Sequence, residues 1–458
     1  MMTGLVKSSL ERIASLQEFY ESEQESIIEK AKEGMRKNRF GYQVDAYFFF
    51  LAAGTEEECQ STTFQKLKKY AEQYLEVTKV CRRDNDSGSV SYRLKSKKEL
   101  VDKGFELNIK SATRAYRRFA DMPVIHGSNT LVMLITRFEE FISRVLTKLY
   151  SQYPQKYLDD QKITFSEILD SGIDEVREKI IMREVERVMR ESFSEWFKIF
   201  ESHGMRFDDY KEDLNNLKEI YYRRNIFVHN SGRVNATYLN AIPDSKAKLG
   251  TKLSVDPAYL DNAFASIKII IFAILIEAVR LVKVDRNDYL YSIFEVAFEE
   301  LQNEHYHVSC KVFDALVKIK DSDAQTKMLS RVNGWISQKA LNGLDAIKKE
   351  VEDFDFSALD EHFCLAKEIL LENYNNATII LGNLFDTNRF DPVWIEEWPL
   401  FKEYKETPQF GEFKMQHPDA FKILSVEIGQ DALDENKSSA QNLHNEPEIA
   451  PNQEDNKE

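Results

Sequence analysis

At 458 residues, with 43% hydrophobic and 12% aromatic side chains, the chain is too long for one compact core and too apolar for wholesale disorder. Its formal net charge of −15 argues against a general polyanion binder, but nine acids against two lysines lie between Glu427 and Glu458, so the body is only mildly acidic. Four scattered cysteines, Cys59, Cys81, Cys310 and Cys364, show no CxxC spacing, which excludes a disulfide framework or thiolate zinc site and predicts a reducing, cytoplasmic setting.

Helical periodicity dominates and predicts a mainly all-α chain. Leu10, Ile13, Leu16, Phe19 and Tyr20 mark an opening helix that turns polar from Glu21. Lys7, Glu11 and Arg12 interrupt its apolar residues, so no signal peptide is expected. "VDAYFFFLAAG" predicts a buried helix ending at Gly54. "EVTKVCRRDNDSGSVSYRLKS" breaks the pattern with two β-prone runs around a polar turn and predicts a hairpin. Residues 1–106 are accordingly read as a mostly helical N-terminal domain.

From Gly127, the spacing of Leu131, Leu134, Ile135, Phe138, Ile142, Val145, Leu146 and Leu149 predicts a strong amphipathic helix, with Pro154 beyond its end. A second helix, capped at Ser171 or Asp174, is expected to run through Ile180 and Val188 toward Phe200 and stop at Gly204. A third starts near Asp208, and a loop holding Pro243 and Gly250 follows. A long helix from Pro257 to Lys283 then closes a four- to five-helix bundle over residues 107–284. Within it, "IIIFAILI" (Ile269–Ile276) is bounded by Lys268 and Glu277, short of the roughly 20 residues of a membrane span. A buried or subunit-facing helix is expected, with no membrane partner.

Residues 285–427 form a C-terminal helical domain. Its final pair, "EHFCLAKEILLENYNNATIILGNLF", suggests a helix–turn–helix repeat, a surface for a regulatory protein partner. Trp196, Trp335, Trp394 and Trp398 are expected core anchors. Residues 428–458 hold too few apolar side chains to offset the entropy of ordering, and a disordered acidic tail is expected.

The stretch "YYRRNIFVHNSGRVN", Tyr221–Asn235, carries the chemistry. At roughly 100° per residue, Leu214, Leu217, Ile220, Tyr221, Phe227 and Val228 share one arc, with Arg224 inside it and Arg223 on the opposite side. A guanidinium in an apolar stripe is costly unless it meets an anion or a cavity. Glu139 on the bundle's first helix is a candidate partner. Asn225 and His229, four apart, lie on one flank, so the amide can orient the imidazole. Asn230, Ser231 and Gly232 form a C-cap that leaves His229 in the last turn. An always-charged donor, an amide and an imidazole suit phosphodiester chemistry without a metal: the arginine grips the phosphate and the histidine moves protons. The commoner outcome for such a pair is a salt bridge beside a satisfied histidine.

"RRNIFVHNSGRVN", followed by a loop and "LGTKLSVDPAYLDNAFASI", resembles the HEPN superfamily of helical domains. The likeness covers roughly Ile125 to Lys283, including "LITRFEEFISRVL". Ribonuclease members are marked by arginine, a polar residue, three further residues and histidine, positions filled here by Arg224, Asn225 and His229. The resemblance implies a homodimer with two motifs at one cleft. The implied reaction is metal-independent RNA cleavage by 2′-hydroxyl attack, leaving 2′,3′-cyclic phosphate ends. It implies His229 as proton carrier, Arg224 as stabiliser of the pentacoordinate phosphate and Asn225 as positioner of His229. By family analogy the protein is a toxic effector of antiphage defence or stress response. Arg223 and Arg233 flank the motif as candidate RNA-phosphate contacts.

The competing reading is a non-catalytic module for helical dimerisation or protein interaction. A nucleic-acid binder that does not cut is a third, and no basic stripe interleaved with aromatics supports it. No cofactor or metal is expected: His305 and His307, two apart, do not share a helix face, and His362 with Cys364 fails likewise. No phosphate-binding glycine loop or GxSxG is present.

Overall fold

The structure, a computed structural model, describes residues 2–53, 61–81, 90–102, 109–157, 168–169, 172–281, 286–320 and 322–418. It is mainly α-helical and divides into two compact units, Met1–Lys283 and Val284–Glu458. Gly54, the tip of the predicted hairpin and the acidic tail lie outside the described residues.

In the first unit α1 (Met2–Lys37), α2 (Arg39–Ala53) and α3 (Thr62–Tyr74) precede β1 (Leu75–Cys81) and β2 (Val90–Ser96). The strands pair antiparallel from Leu75 opposite Ser96 to Cys81 opposite Val90, the hairpin that the β-prone runs predict. Then come α4 (Ile109–Ala120), α5 (Met122–Gln152), α6 (Ile173–Met189), α7 (Phe193–Ser202), α8 (Lys211–Asn230), α9 (Ala236–Ala241) and α10 (Pro257–Leu281). The predicted start of α5 at Gly127 moves to Met122, because Pro123 sits in its first turn, where a missing N–H costs nothing.

The single helix expected from Asp174 to Phe200 is two. Backbone at Ser192 is extended (ψ 157°), and the Trp196 indole folds back to donate to the Val188 carbonyl at 2.9 Å. That bond turns the chain so that Phe193, Trp196, Phe197 and Phe200 all enter the core.

Around α5, whose buried stripe runs from Leu131 to Tyr150, pack α1, α6, α8 and α10. Helix α1 therefore belongs to the bundle rather than standing apart from it, with Leu5, Val6, Leu10 and Ile13 buried. Helix α10 is longer than its apolar run. Pro257–Val279 is long and apolar enough to cross a membrane, yet 89% of its most apolar stretch is buried inside the protein. Lys268 and Glu277, which seemed to bound the run, are themselves buried at 1% and 5% exposure. Glu277 accepts the Arg206 backbone N–H at 3.0 Å, a bond that covers part of its charge.

The second unit holds α11 (Arg286–Gln302), α12 (Tyr306–Val317), α13 (Ala324–Asn342), α14 (Asp345–Asp353), α15 (Glu361–Leu370), α16 (Tyr374–Asp386) and α17 (Pro408–Gln416). Helix α11 packs on α12, α12 on α13, α13 on α14, α15 on α16 and α16 on α17. Three of its helices end alike. Glu304, Glu372 and Asn388 take left-handed φ values of 63°, 62° and 53°, and the next N–H reaches back to a carbonyl five residues earlier. Trp335 and Trp398 are buried as expected, whereas Trp394 is 42% exposed and packs on His362 and Phe390 at the edge.

Gly127 offers a test of the packing. Alanine inside a helix ordinarily stabilises by about 1 kcal/mol over glycine. A Cβ on Gly127 would lie 2.6 Å from the Val255 carbonyl oxygen, where α5 meets the strap entering α10. Gly127→Ala is therefore expected to destabilise by about 1–3 kcal/mol in urea unfolding. An unchanged or raised midpoint would contradict this close approach.

Candidate functional site

Helix α8 opens on a 3-10 turn, Asp208–Tyr210, with Glu212 and Asp213 in its first turn to complement the helix dipole. Leu217, Ile220 and Ile226 are buried along its length. Its end is set by two left-handed residues, Ser231 (φ 51°) and Gly232 (φ 74°), whose N–H groups both donate to the Ile226 carbonyl. Gly232 has no room for a Cβ, which would sit 2.8 Å from the Phe227 ring. The stop therefore falls where the sequence predicts it, with His229 in the last turn.

Arg224 is the most constrained member of the motif. Its Nη2 donates to Glu139 Oε2 at 2.7 Å and its Nη1 to Asn225 Oδ1 at 2.9 Å. Its side chain is 16% exposed and its Nε is buried without a hydrogen-bond partner. Beneath it Tyr221 packs against Phe193 and Trp196, with ring centroids 5.5 and 5.6 Å away, so α7 supports this turn of α8. The candidate Glu139 partner is thus in place across the α5–α8 contact.

Asn225 differs from its expected role of orienting His229. A neighbouring guanidinium is a charge-assisted donor and takes the amide oxygen. His229 is exposed and has no hydrogen-bond or ion-pair partner among the described residues. The amide therefore steadies Arg224, and the imidazole stands free one turn further along.

Arg223, expected to point outward as a phosphate contact, is instead sealed in. Its Nε donates to Glu219 at 2.8 Å, its Nη1 to the Ser254 carbonyl at 2.8 Å, and its guanidinium lies 4.0 Å over the Tyr259 ring. Glu219 also accepts the Tyr238 and Tyr259 hydroxyls at 2.6 and 2.7 Å. Burial, reinforced by Glu219, pushes the Tyr259 phenol well above its ordinary value, so it stays a neutral donor. The wheel failed here because the loop after α8 folds back and buries a second helix face. Val228, placed on the apolar arc, is 49% exposed. Arg233 is exposed, donates to the Gly250 carbonyl at 3.1 Å and pairs by backbone with Lys252.

That loop carries residues the sequence reading passed over. Ile226, Val234 and Tyr238 form a small core joined by Tyr222, Leu239, Ile242, Ala247 and Leu253. Lys246, Lys248 and Lys252 lie exposed outside it. The alternation in "SKAKLGTK", apolar Ala247 between two lysines, was the available signal.

Elsewhere, the second unit has a cleft of about 210 Å³ lined by Gln302, Glu304, Tyr306, Trp398, Lys402 and Lys405, among others. Its lysines are paired, Lys402 with Glu304 and Lys405 with Glu396. His305 is bonded to Glu300 at 2.7 Å, and His362 to Asp360 and the Arg389 carbonyl. Neither cleft nor histidine presents an unengaged reactive group. No family model, curated protein or solved structure matches the chain.

Burial raises the Glu139 carboxyl above its ordinary 4.5, and Arg224 pulls it back only in part. An acid raised in the fold stabilises most when protonated, below its ordinary value, and loses that contribution as pH rises through the raised one. In the fold the ionised form of Glu139 is therefore disfavoured relative to its protonated form. The stability of the wild type relative to Glu139→Gln, which does not titrate, is expected to fall as pH rises from about 4 to about 7. A relative stability that grows as pH rises over that range would contradict this.

Proposed function

We propose that this protein is a metal-independent endoribonuclease of the HEPN type, acting as a homodimer through the bundle. The observation that supports the reading is a sheltered guanidinium, held by Glu139 and Asn225, one helical turn from an exposed and unengaged imidazole. The support is this motif and its flanking helices.

In the proposed reaction the ribose 2′-oxygen attacks the adjacent phosphorus as its O–P bond forms and the bond to the 5′-oxygen breaks. His229 takes the 2′-hydroxyl proton or delivers one to the 5′-oxygen, and the partner subunit's His229 takes the other role. Arg224 has donors beyond the two it uses and can turn them to the phosphoryl oxygens as charge builds. Asn225 and Glu139 hold Arg224 in the unloaded site, a change from the sequence-based role of Asn225. DNA lacks the nucleophile and is expected to be inert. On this reading the protein works in the cytoplasm as a toxic effector, with the C-terminal helices receiving a regulatory partner. The alternative, a non-catalytic dimerisation module, draws its support from the same Glu139 contact, which by itself satisfies part of Arg224.

Purified protein incubated with total RNA in excess EDTA is expected to give fragments ending in 2′,3′-cyclic phosphate. His229→Ala should lower the rate by about 10²–10⁴-fold with unchanged thermal unfolding, and Arg224→Ala should lower it by a similar factor. Full cleavage by a folded His229→Ala variant would remove the histidine from the mechanism.

A further inference from the structure

We propose that the loop between α8 and α10 is the platform that holds the RNA backbone, with Lys246, Lys248 and Lys252 as its phosphate contacts beside Arg233. The ligand class rests on the nuclease reading, and the platform itself rests on charge and geometry.

The loop is a built element rather than a loose one. Val234 N–H donates to the Thr251 carbonyl, Gly250 N–H to Val234, and Leu253 N–H to Gly232, each at 2.9 Å. Between these bonds Lys248–Thr251 forms a tight turn, closed by Thr251 N–H on the Lys248 carbonyl at 3.0 Å. Gly250 supplies the positive φ of 81° that the third turn position requires. Underneath, Ile242, Ala247 and Leu253 pack on Ile226 and Tyr238. The Glu219 hydrogen bonds from Tyr238 and Tyr259 then pin the loop's two ends to α8.

On that scaffold Lys246, Lys248, Lys252 and Arg233 are all exposed, and none has a carboxylate partner among the described residues. Many other cations of this unit are paired, as Arg12 is with Glu140, Arg117 with Asp45, and Lys179 with Glu175. A run of unpaired cations on a fixed loop of a chain with net charge −15 repels itself and has no internal purpose. A polyanion relieves that repulsion and releases its own counterions. The location selects which polyanion. Gly232, whose carbonyl accepts the Leu253 N–H, is three residues beyond His229, so the cations flank the end of α8 that presents the imidazole. A strand lying on the loop would lead its backbone to His229.

The test uses a fluorescently labelled 2′-O-methyl oligoribonucleotide, which keeps the phosphates and lacks the attacking hydroxyl, with full-length protein in EDTA. Affinity is measured by anisotropy across a salt series, in parallel with cleavage of ordinary RNA. Combined Lys246→Ala, Lys248→Ala and Lys252→Ala should flatten the dependence of log affinity on log salt by about 2, from about 0.7 per lost single-strand contact. The three lysine-to-arginine changes should preserve the slope. Lys348→Ala with Lys349→Ala, two exposed lysines of the second unit, should alter neither affinity nor slope. An unchanged slope in the triple alanine variant, an equal loss in the control, no binding by the wild type, or loop-dependent binding to anionic lipid vesicles but not to the oligonucleotide would each overturn the platform. Loop-dependent binding by a wild type that leaves RNA uncut would uphold the platform and overturn the nuclease. Cleavage unaffected by the loop changes, with an unchanged slope, would do the reverse.

Discussion

A guanidinium in the packed face of a helix must be given an anion or the helix cannot pack there, and the Glu139–Arg224 bond at 2.7 Å meets that requirement where α5 and α8 meet. The rest of the site follows from it. Once Arg224 is drawn toward α5, its second terminal nitrogen donates to the Asn225 side-chain oxygen. His229 is then left exposed on the next turn. Arg224 favours the ionised carboxyl, and burial, the larger effect, still holds Glu139 above its ordinary value.

Much of this was legible in the amino-acid sequence because helical periodicity and caps are local. The α5 stripe, the stop at Ser231 and Gly232 and the hairpin pairing all depend on residues a few positions apart or on one packed face. What was not legible depends on chain returning from far away. Arg223 is sealed by Ser254 and Tyr259, more than thirty residues on, which no wheel drawn on α8 can reveal. The break at Ser192 is a nearer case, set by Trp196 folding back onto the Val188 carbonyl eight residues before it. The membership of α1 in the bundle is likewise a long-range packing result. Asn225 meets Arg224, its neighbour in the chain, through its side-chain oxygen, a contact that the i, i+4 pairing with His229 did not anticipate.

Electrostatics divides the first unit into two kinds of surface. Along α1, α5, α6 and α7 charges meet in ion pairs, each contributing little. Around the end of α8 they do not. There Glu219 consumes only Arg223, and the remaining cations of the loop face solvent. The same glutamate network that makes Arg223 unavailable to a ligand thus gives the outer lysines a rigid base. Buried and exposed cations sit side by side in one sequence segment, separated by which face of the loop they occupy.

The central claim is that Arg224 and His229 together recognise a pentacoordinate phosphate. The most direct measurement is calorimetric binding of a uridine–vanadate complex, a trigonal-bipyramidal mimic of that species, compared with uridine 2′,3′-cyclic phosphate. The account predicts that wild type binds the vanadate complex at least about 10²-fold more tightly, the preference of a site built for a transition state. Arg224→Ala should abolish the preference. Equal binding of the two ligands, or a preference that survives in Arg224→Ala, would contradict it.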